Sequence, residues 1–129
     1  GLKNIRDKYD TLTICGMGTY TIIDILKSGY LPENIIISSN NDLYTLRCYL
    51  NSIEYKINKE IIVYENGKYY DIISYEKGKE KLFYYQKMYG KSNDKNYLKY
   101  LLHKETHIFK KSKNFKTLKN IIYLFIKTI

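Results

Sequence analysis

The first 78 residues alternate between short apolar runs and stretches with helical periodicity. Residues 11–15 are predicted to form a short buried strand, and the run at 34–38 is continuous, as in strands that are buried on both faces of a parallel sheet. Helix-compatible apolar spacing follows each run, at residues 20–28 and again after Asp42, which is placed to cap the second helix. The pattern therefore predicts a β-α-β-α order.

Two further strands are predicted at residues 55–64 and 68–75, on either side of Asn66-Gly67. This dipeptide favours a type I′ hairpin turn, because both central positions of that turn need positive φ. The chain should thus be an α/β protein whose sheet ends in an antiparallel pair.

After Gly78 the pattern becomes helical. We expect a helix at 81–89, a break at 90–94, and helices over most of 95–129 with an interruption near 112–114. The predicted domains are therefore 1–78 and 79–129. An apolar 3-4 spacing predicts a coiled-coil-like seam in the last helix, packed on the helix before it. Its positions are Phe115, Leu118, Ile122, Phe125 and Ile129.

Charge separates the two predicted domains more sharply than the hydrophobic pattern does. The net charge is +9, with 22 Lys and Arg against 13 Asp and Glu. Residues 1–75 carry a net charge of −1, and residues 76–129 carry +10. An A/T-rich genome would enrich lysine throughout the chain, so the asymmetry favours a basic C-terminal region with an anionic partner.

The basic region interleaves lysines with aromatic residues. Phosphate contacts need such charges, and aromatic rings can stack on unpaired bases. A merely solvated basic helix is the alternative. The candidate RNA-binding residues are Lys91, Lys95, Lys99, Lys104, Lys110, Lys111 and Lys113, with further lysines at 116, 119 and 127.

The glycines between the first strand and the first helix are the strongest candidate for a ligand site. Gly16-Met17-Gly18 would let the backbone approach a ligand beside an electropositive helix N-terminus. A dinucleotide fingerprint would need glycine at position 21, which is Thr21, and an acidic residue after the next strand, where Ser-Ser-Asn-Asn stands. A plain tight turn is the alternative.

Other chemistry finds little support in the sequence. His103 and His107 would share a helix face, but the metalloprotease motif has Glu directly after its first His, where Lys104 stands here. We therefore predict no metal site. Neither a Ser/His/Asp nor a Cys/His catalytic set is recognisable.

The two cysteines suggest no disulfide framework, and the longest apolar run, 121–126, is far shorter than the roughly 18 residues of a membrane span. We expect a soluble, cytoplasmic chain.

The order of these motifs resembles that of the bacterial tRNA adenine-22 N1-methyltransferase family. Gly16-Met17-Gly18 matches the start of the family's Gly-Met-Gly-Gly turn, and Thr19 departs from its last glycine. Asn40 matches the end of a Gln-Pro-Asn-like turn, in which Ser38 and Ser39 replace the first two residues. The remaining matches are Leu46-Arg47, Tyr49-Leu50, and Asn66, Gly67, Lys68 and Tyr70 of the hairpin.

The resemblance implies an enzyme that uses S-adenosylmethionine to methylate N1 of an adenine in tRNA. The residues that would line the cofactor and the target base are Cys15, Gly16, Met17 and Gly18. Asn40 would orient the base, Tyr20 would stack on it, and the basic helices would hold the tRNA.

The resemblance also implies the C-terminal half of a Rossmann-like class I methyltransferase sheet, followed by a basic, coiled-coil-like helical domain. The strands with the main cofactor loop would precede Gly1-Leu2, so an N-terminal complementary segment or a second copy could pair with the first strand. A non-catalytic RNA-binding module and a fragment that needs its complement remain the alternatives.

Overall fold

The computed structural model describes residues 9–129, and the predicted position of Gly1-Leu2 lies outside these residues. The described part is a mixed α/β fold in which four strands and five helices follow the predicted order. The strands are β1 (Thr11–Met17), β2 (Asn34–Ser39), β3 (Tyr55–Glu65) and β4 (Lys68–Lys77). The helices are α1 (Thr19–Leu26), α2 (Leu43–Ser52), α3 (Tyr84–Tyr89), α4 (Lys95–Ser112) and α5 (Phe115–Thr128).

The strands form one sheet in the order β1-β2-β4-β3. β1 pairs with β2 in parallel, whereas β2–β4 and β4–β3 are antiparallel. The predicted parallel pair and closing hairpin are therefore confirmed. Within residues 9–129, β1 pairs with β2 alone, so its other edge keeps unpaired backbone groups.

Apolar side chains from the central strands and the first two helices make the core. Ile35 and Ile37 of β2 and Ile73 of β4 are fully buried, and they pack with side chains of α1 and α2 such as Ile22 and Leu46. Burial of each such side chain stabilises the fold by about 1.5–3 kcal/mol. The continuous apolar run of β2 is thus explained by its central position in the sheet.

The β3–β4 hairpin has the turn that its sequence predicts. Asn66 and Gly67 have φ values of 51° and 78°, as a type I′ turn requires. Register slips between Ile57 and Lys59, which marks a bulge in the long strand β3.

The compact units of the chain divide between Gly90 and Lys91, because α3 packs against α2 of the sheet domain. The functional boundary that we placed after residue 78 stays a prediction. Within the sheet unit, the predicted helix at 81–89 forms only at α3, because Phe83 before it has the extended backbone of an N-cap (φ −74°, ψ 160°).

The second unit, Lys91–Ile129, is a hairpin of α4 and α5. Asp94 caps α4 by accepting a hydrogen bond from the Tyr97 backbone, and Lys113 turns the chain with a φ of 50°. The ammonium of Lys127 donates to Asn93 at 3.0 Å, so the end of α5 lies beside the start of α4.

The predicted seam of α5 is wrong. Leu124 is fully buried and Asn120 nearly so, whereas Phe115, Phe125 and Ile129 are more than half exposed. The helix carries apolar residues on more than one face, and the predicted face is the more apolar one. Periodicity alone therefore cannot select the face that meets α4.

Candidate functional site

The turn after β1 begins with a bulge at Gly16. Gly16 has a φ of 76°, and the pairing with β2 slips between Cys15 and Met17. A Cβ atom at Gly16 would meet nothing within 4 Å, so glycine is favoured there by backbone conformation rather than by space. The bulge leaves Cys15 exposed and Met17 40% exposed at the carboxyl end of the strand.

Gly18 brings the turns after β1 and β2 into close contact. A Cβ atom at Gly18 would lie 3.3 Å from Oδ1 of Asn41, which accepts a 2.9 Å hydrogen bond from the Thr19 backbone. Gly18 is also the N-cap of α1 and has no side chain to satisfy the helix N-terminus. The amide of Asn41 takes part of that role from the neighbouring turn.

Thr19 is fully buried between the same two turns. Its hydroxyl donates to the carbonyl oxygen of Asn41 at 2.6 Å and lies 2.8 Å from the hydroxyl of Ser39. Thr19 and Ser39 are two of the positions at which the chain departs from the resembled pattern, and they contact each other. Their contact was not predicted, because each had counted only as a mismatch to the family pattern. In the sequence, only the polar run Ser38–Asn41 indicated that the turn after β2 could form such hydrogen bonds.

Asn40 and Tyr20, the predicted base-contacting residues, lie at this same end of the sheet. The Asn40 backbone donates to the Met17 carbonyl oxygen at 2.9 Å, and the side chain of Asn40 is exposed. Tyr20 is 66% exposed, and its hydroxyl lies 3.4 Å from Oδ2 of Asp42. Backbone groups of Cys15–Gly18 are thus brought beside Asn40, while the binding roles of all these residues stay predictions.

A buried ionic cluster supports α2 and α3 behind the turns. Arg47 of α2 is fully buried, and its Nη2 donates to Oδ2 of Asp71 at 2.7 Å. Its Nη1 donates to the carbonyl oxygens of Lys87 and Met88, at 3.1 and 3.0 Å. Glu60 is the second carboxylate, 3.9 Å from Nη2. The resemblance included Arg47 only as a helix match, so its role in holding α3 was missed.

Burial raises the pKa of the Asp71 carboxyl to about 8, and the nearby Glu60 carboxylate adds to this effect. The guanidinium of Arg47 acts in the opposite direction. One arginine faces two buried carboxyls, so a single proton on the carboxyl pair makes the cluster neutral.

The seven candidate RNA-binding lysines are exposed in the helical unit. The ammonium of Lys104 lies 5.3 Å from the ring centroid of Tyr100, and that of Lys95 donates to the Lys127 carbonyl oxygen. His103 and His107 are exposed as well.

Over residues 9–129, no three His, Cys, Asp or Glu side chains are grouped to hold a metal ion. No helix in that range is long and apolar enough to cross a membrane.

Comparison with known families shows which family the chain belongs to. The family model for tRNA (adenine(22)-N(1))-methyltransferase, TrmK, matches residues 1–126. The chain belongs to the TrmK family. A search of the curated proteins gave no match.

Solved structures with the same fold include TrmK enzymes. M. capricolum TrmK in complex with S-adenosyl-homocysteine is 29% identical, with a TM-score of 0.73 over 99% of this chain and 63% of that one. Streptococcus pneumoniae Sp1610 in complex with S-adenosyl-L-methionine is 25% identical, with a TM-score of 0.79 over 93% and 60%. B. subtilis TrmK, at 21% identity and a TM-score of 0.69 over 99% and 64%, supports the fold alone. The chain thus spans about 60% of the length of the Sp1610 chain.

Proposed function

We propose that the chain is part of an S-adenosylmethionine-dependent tRNA methyltransferase that methylates N1 of an adenine. The match of the TrmK family model to residues 1–126 carries this proposal. Support also comes from the M. capricolum relative, which binds the cofactor product S-adenosyl-homocysteine. The tRNA substrate and the cofactor are therefore part of the proposal for this chain.

The proposed wall of the pocket consists of Cys15–Gly18 and Asn40. The bulge at Gly16 and the exposed Met17 leave main-chain groups and a flexible apolar side chain open to a ligand, which fits one side of an adenosyl group. When bound, S-adenosylmethionine supplies an electrophilic methyl group on a sulfonium. The amide of Asn40, which is exposed, is proposed to donate to or accept from an edge of the target base.

The chemistry needs alignment more than acid–base catalysis. N1 of neutral adenine has an available lone pair, so attack on the methyl group requires no general base. Alignment of the reacting atoms and exclusion of water then supply most of the rate enhancement. The target adenine must leave its stack, at a cost of a few kcal/mol. Stacking on the exposed ring of Tyr20 is proposed to offset part of that cost.

The helical unit is the proposed tRNA-binding domain. Its ten lysines face only two acidic residues, and the seven candidate lysines are exposed. Neutralisation of several phosphates makes affinity fall steeply with salt.

A reducing cytoplasm is the proposed setting, supported by Cys15 and Cys48, which are both free thiols.

The unpaired edge of β1 is the proposed site for completing the sheet. We place the chain in the C-terminal half of a Rossmann-like methyltransferase sheet, with a coiled-coil-like helical domain after it. A complementary N-terminal segment would add strands beside β1, and self-association through the same edge is the second possibility. Sedimentation of the chain with and without such a segment distinguishes the two.

Calorimetric titration with S-adenosylmethionine, beside tRNA binding, tests the function. Binding of both ligands by the chain supports a methyltransferase. Retained tRNA binding without any cofactor binding would refute autonomous catalysis and favour an RNA-binding module. Loss of both would favour a structural fragment that needs its complement.

A further inference from the structure

A cluster of tyrosine rings, consisting of Tyr44, Tyr84, Tyr85 and Tyr89, joins α3 to the first turn of α2. The ring centroids of Tyr44 and Tyr84 are 6.1 Å apart, and those of Tyr84 and Tyr85 are 5.1 Å apart. Tyr85 stacks on Tyr89 at 6.5 Å with an interplanar angle of 8°, and Tyr89 is buried. The tyrosine cluster is thus anchored in the interior at Tyr89 and reaches the surface at Tyr44, which is 38% exposed.

The surface end of the cluster lies next to the candidate site. Tyr44 follows the cap residue Asp42 by two positions, and the Tyr20 hydroxyl lies 3.4 Å from the carboxylate of Asp42. Asn40 precedes the same cap by two residues. An RNA with one adenine at Asn40 would therefore bring its neighbouring nucleotides within reach of the tyrosine cluster.

The segment that contains α3 carries net positive charge. Phe83, just before α3, is 65% exposed, and the segment 79–88 carries three lysines and one acidic residue. That acidic residue, Glu80, accepts a 3.0 Å hydrogen bond from the Ile57 backbone, which directs its carboxylate toward β3. Exposed rings beside net positive charge complement unpaired nucleotides, which offer a flat base and a phosphate together.

The cluster is also held firmly. Arg47 binds the carbonyl oxygens of Lys87 and Met88, which fixes the end of α3 that carries Tyr89. Rings that are fixed before binding lose little conformational entropy when a base stacks on them.

We propose that the tyrosine cluster and Phe83 form a base-stacking surface for unpaired nucleotides next to the adenine held at Asn40. The identity of the RNA as tRNA rests on the proposed function. The surface itself lies wholly in the sheet unit, so it adds a second RNA contact to the lysines of the helical unit.

Substitutions that remove a ring test the proposal in the 129-residue chain. Tyr44→Leu and Phe83→Leu keep apolar bulk, and Tyr44→Phe keeps the ring as the matched control. Each variant is titrated with unmodified tRNA at several salt concentrations, and its urea midpoint is measured to confirm folding. Phe83 lies outside the helices, so its variant keeps the test valid if Tyr44→Leu unfolds the chain.

The leucine variants should each bind tRNA about tenfold more weakly. Their slope of log affinity against log salt should equal that of the wild type, because stacking releases no counterions. Tyr44→Phe should bind like the wild type. By contrast, Lys104→Gln should flatten the salt slope by about one phosphate contact.

Wild-type affinity in both leucine variants would overturn the proposal, as would an equal loss in Tyr44→Phe. A change in sedimentation without a change in tRNA affinity would also overturn it, because a second copy of the chain would then cover the rings. The binding assay contains no methyl donor, and methyl transfer is measured separately. Ring-dependent tRNA binding by a chain that transfers no methyl group would refute autonomous catalysis and sustain the surface, while methyl transfer that ignores the rings would refute the surface alone.

Discussion

Replacement of Arg47 by methionine should destabilise the sheet unit strongly. Methionine fills similar volume but cannot donate the 2.7 Å hydrogen bond to Asp71 or the two bonds to the Lys87 and Met88 carbonyl oxygens. Breaking a buried ion pair from one side costs about 3–5 kcal/mol. Protonation of the carboxyl pair relieves part of this loss, while the carbonyl oxygens left without a donor add to it. We therefore expect a loss of about 4 kcal/mol.

Urea unfolding followed by circular dichroism measures this loss. With a slope of about 2 kcal/mol/M, the midpoint should fall by about 2 M. Lys79→Met is the matched control, because Lys79 lies 4.0 Å from Glu54 with an 82% exposed side chain. That control should leave the midpoint unchanged, since exposed ion pairs contribute little.

A second readout locates the effect. The Gly90 backbone donates to the Gln86 carbonyl oxygen at the end of α3, so its amide exchange should accelerate in Arg47→Met. A loss below about 1 kcal/mol with unchanged Gly90 exchange would refute the view that Arg47 holds α3 on the sheet.

Three further predictions follow from the buried polar groups and the caps. Because the pKa of Asp71 is raised to about 8, its folded-state proton favours folding at low pH, and this stability should be lost as pH rises from about 4 to about 8. Urea midpoints across that range should decline, and Asp71→Asn should flatten the decline; an unchanged slope contradicts the assignment. Thr19→Val should cost about 1–3 kcal/mol, because the Thr19 hydroxyl donates to the Asn41 carbonyl oxygen in the interior. Thr21→Val on the exposed side of α1 is its control, and equal midpoints would refute the Thr19 network. Asp94→Ala should cost about 1 kcal/mol through loss of the α4 cap. Unchanged thermal unfolding would show that the cap is dispensable.

The sequence predicted the elements of the sheet unit well because each has a strong local signal. Asn66-Gly67 specifies its turn through positive φ, and Asp42 caps α2 with its own side chain. The continuous apolar run identified β2 for the same reason, because Ile35 and Ile37 are fully buried. The prediction that β1 is a buried strand was wrong beyond Ile14, because the other residues of β1 are at least partly exposed.

Features that depend on distant partners were not predictable in this way. Arg47 and Asp71 are separated by 24 residues, so their pairing appears only when α2 packs on β4. The burial of α5 depends on which of its faces fits α4, and the helix alone does not contain that choice. The contact of Thr19 with Ser39 likewise arises only from the parallel pairing of β1 with β2.

Nucleoside analysis of tRNA by mass spectrometry, after incubation with S-adenosylmethionine and the chain completed by its N-terminal segment, tests the central proposal most directly. We predict 1-methyladenosine without N6-methyladenosine, because the proposed wall aligns N1 with the methyl group. Asn40→Ala should lower the yield at least tenfold. An absence of 1-methyladenosine while the chain binds both S-adenosylmethionine and tRNA would contradict the proposal that this edge of the sheet performs methyl transfer.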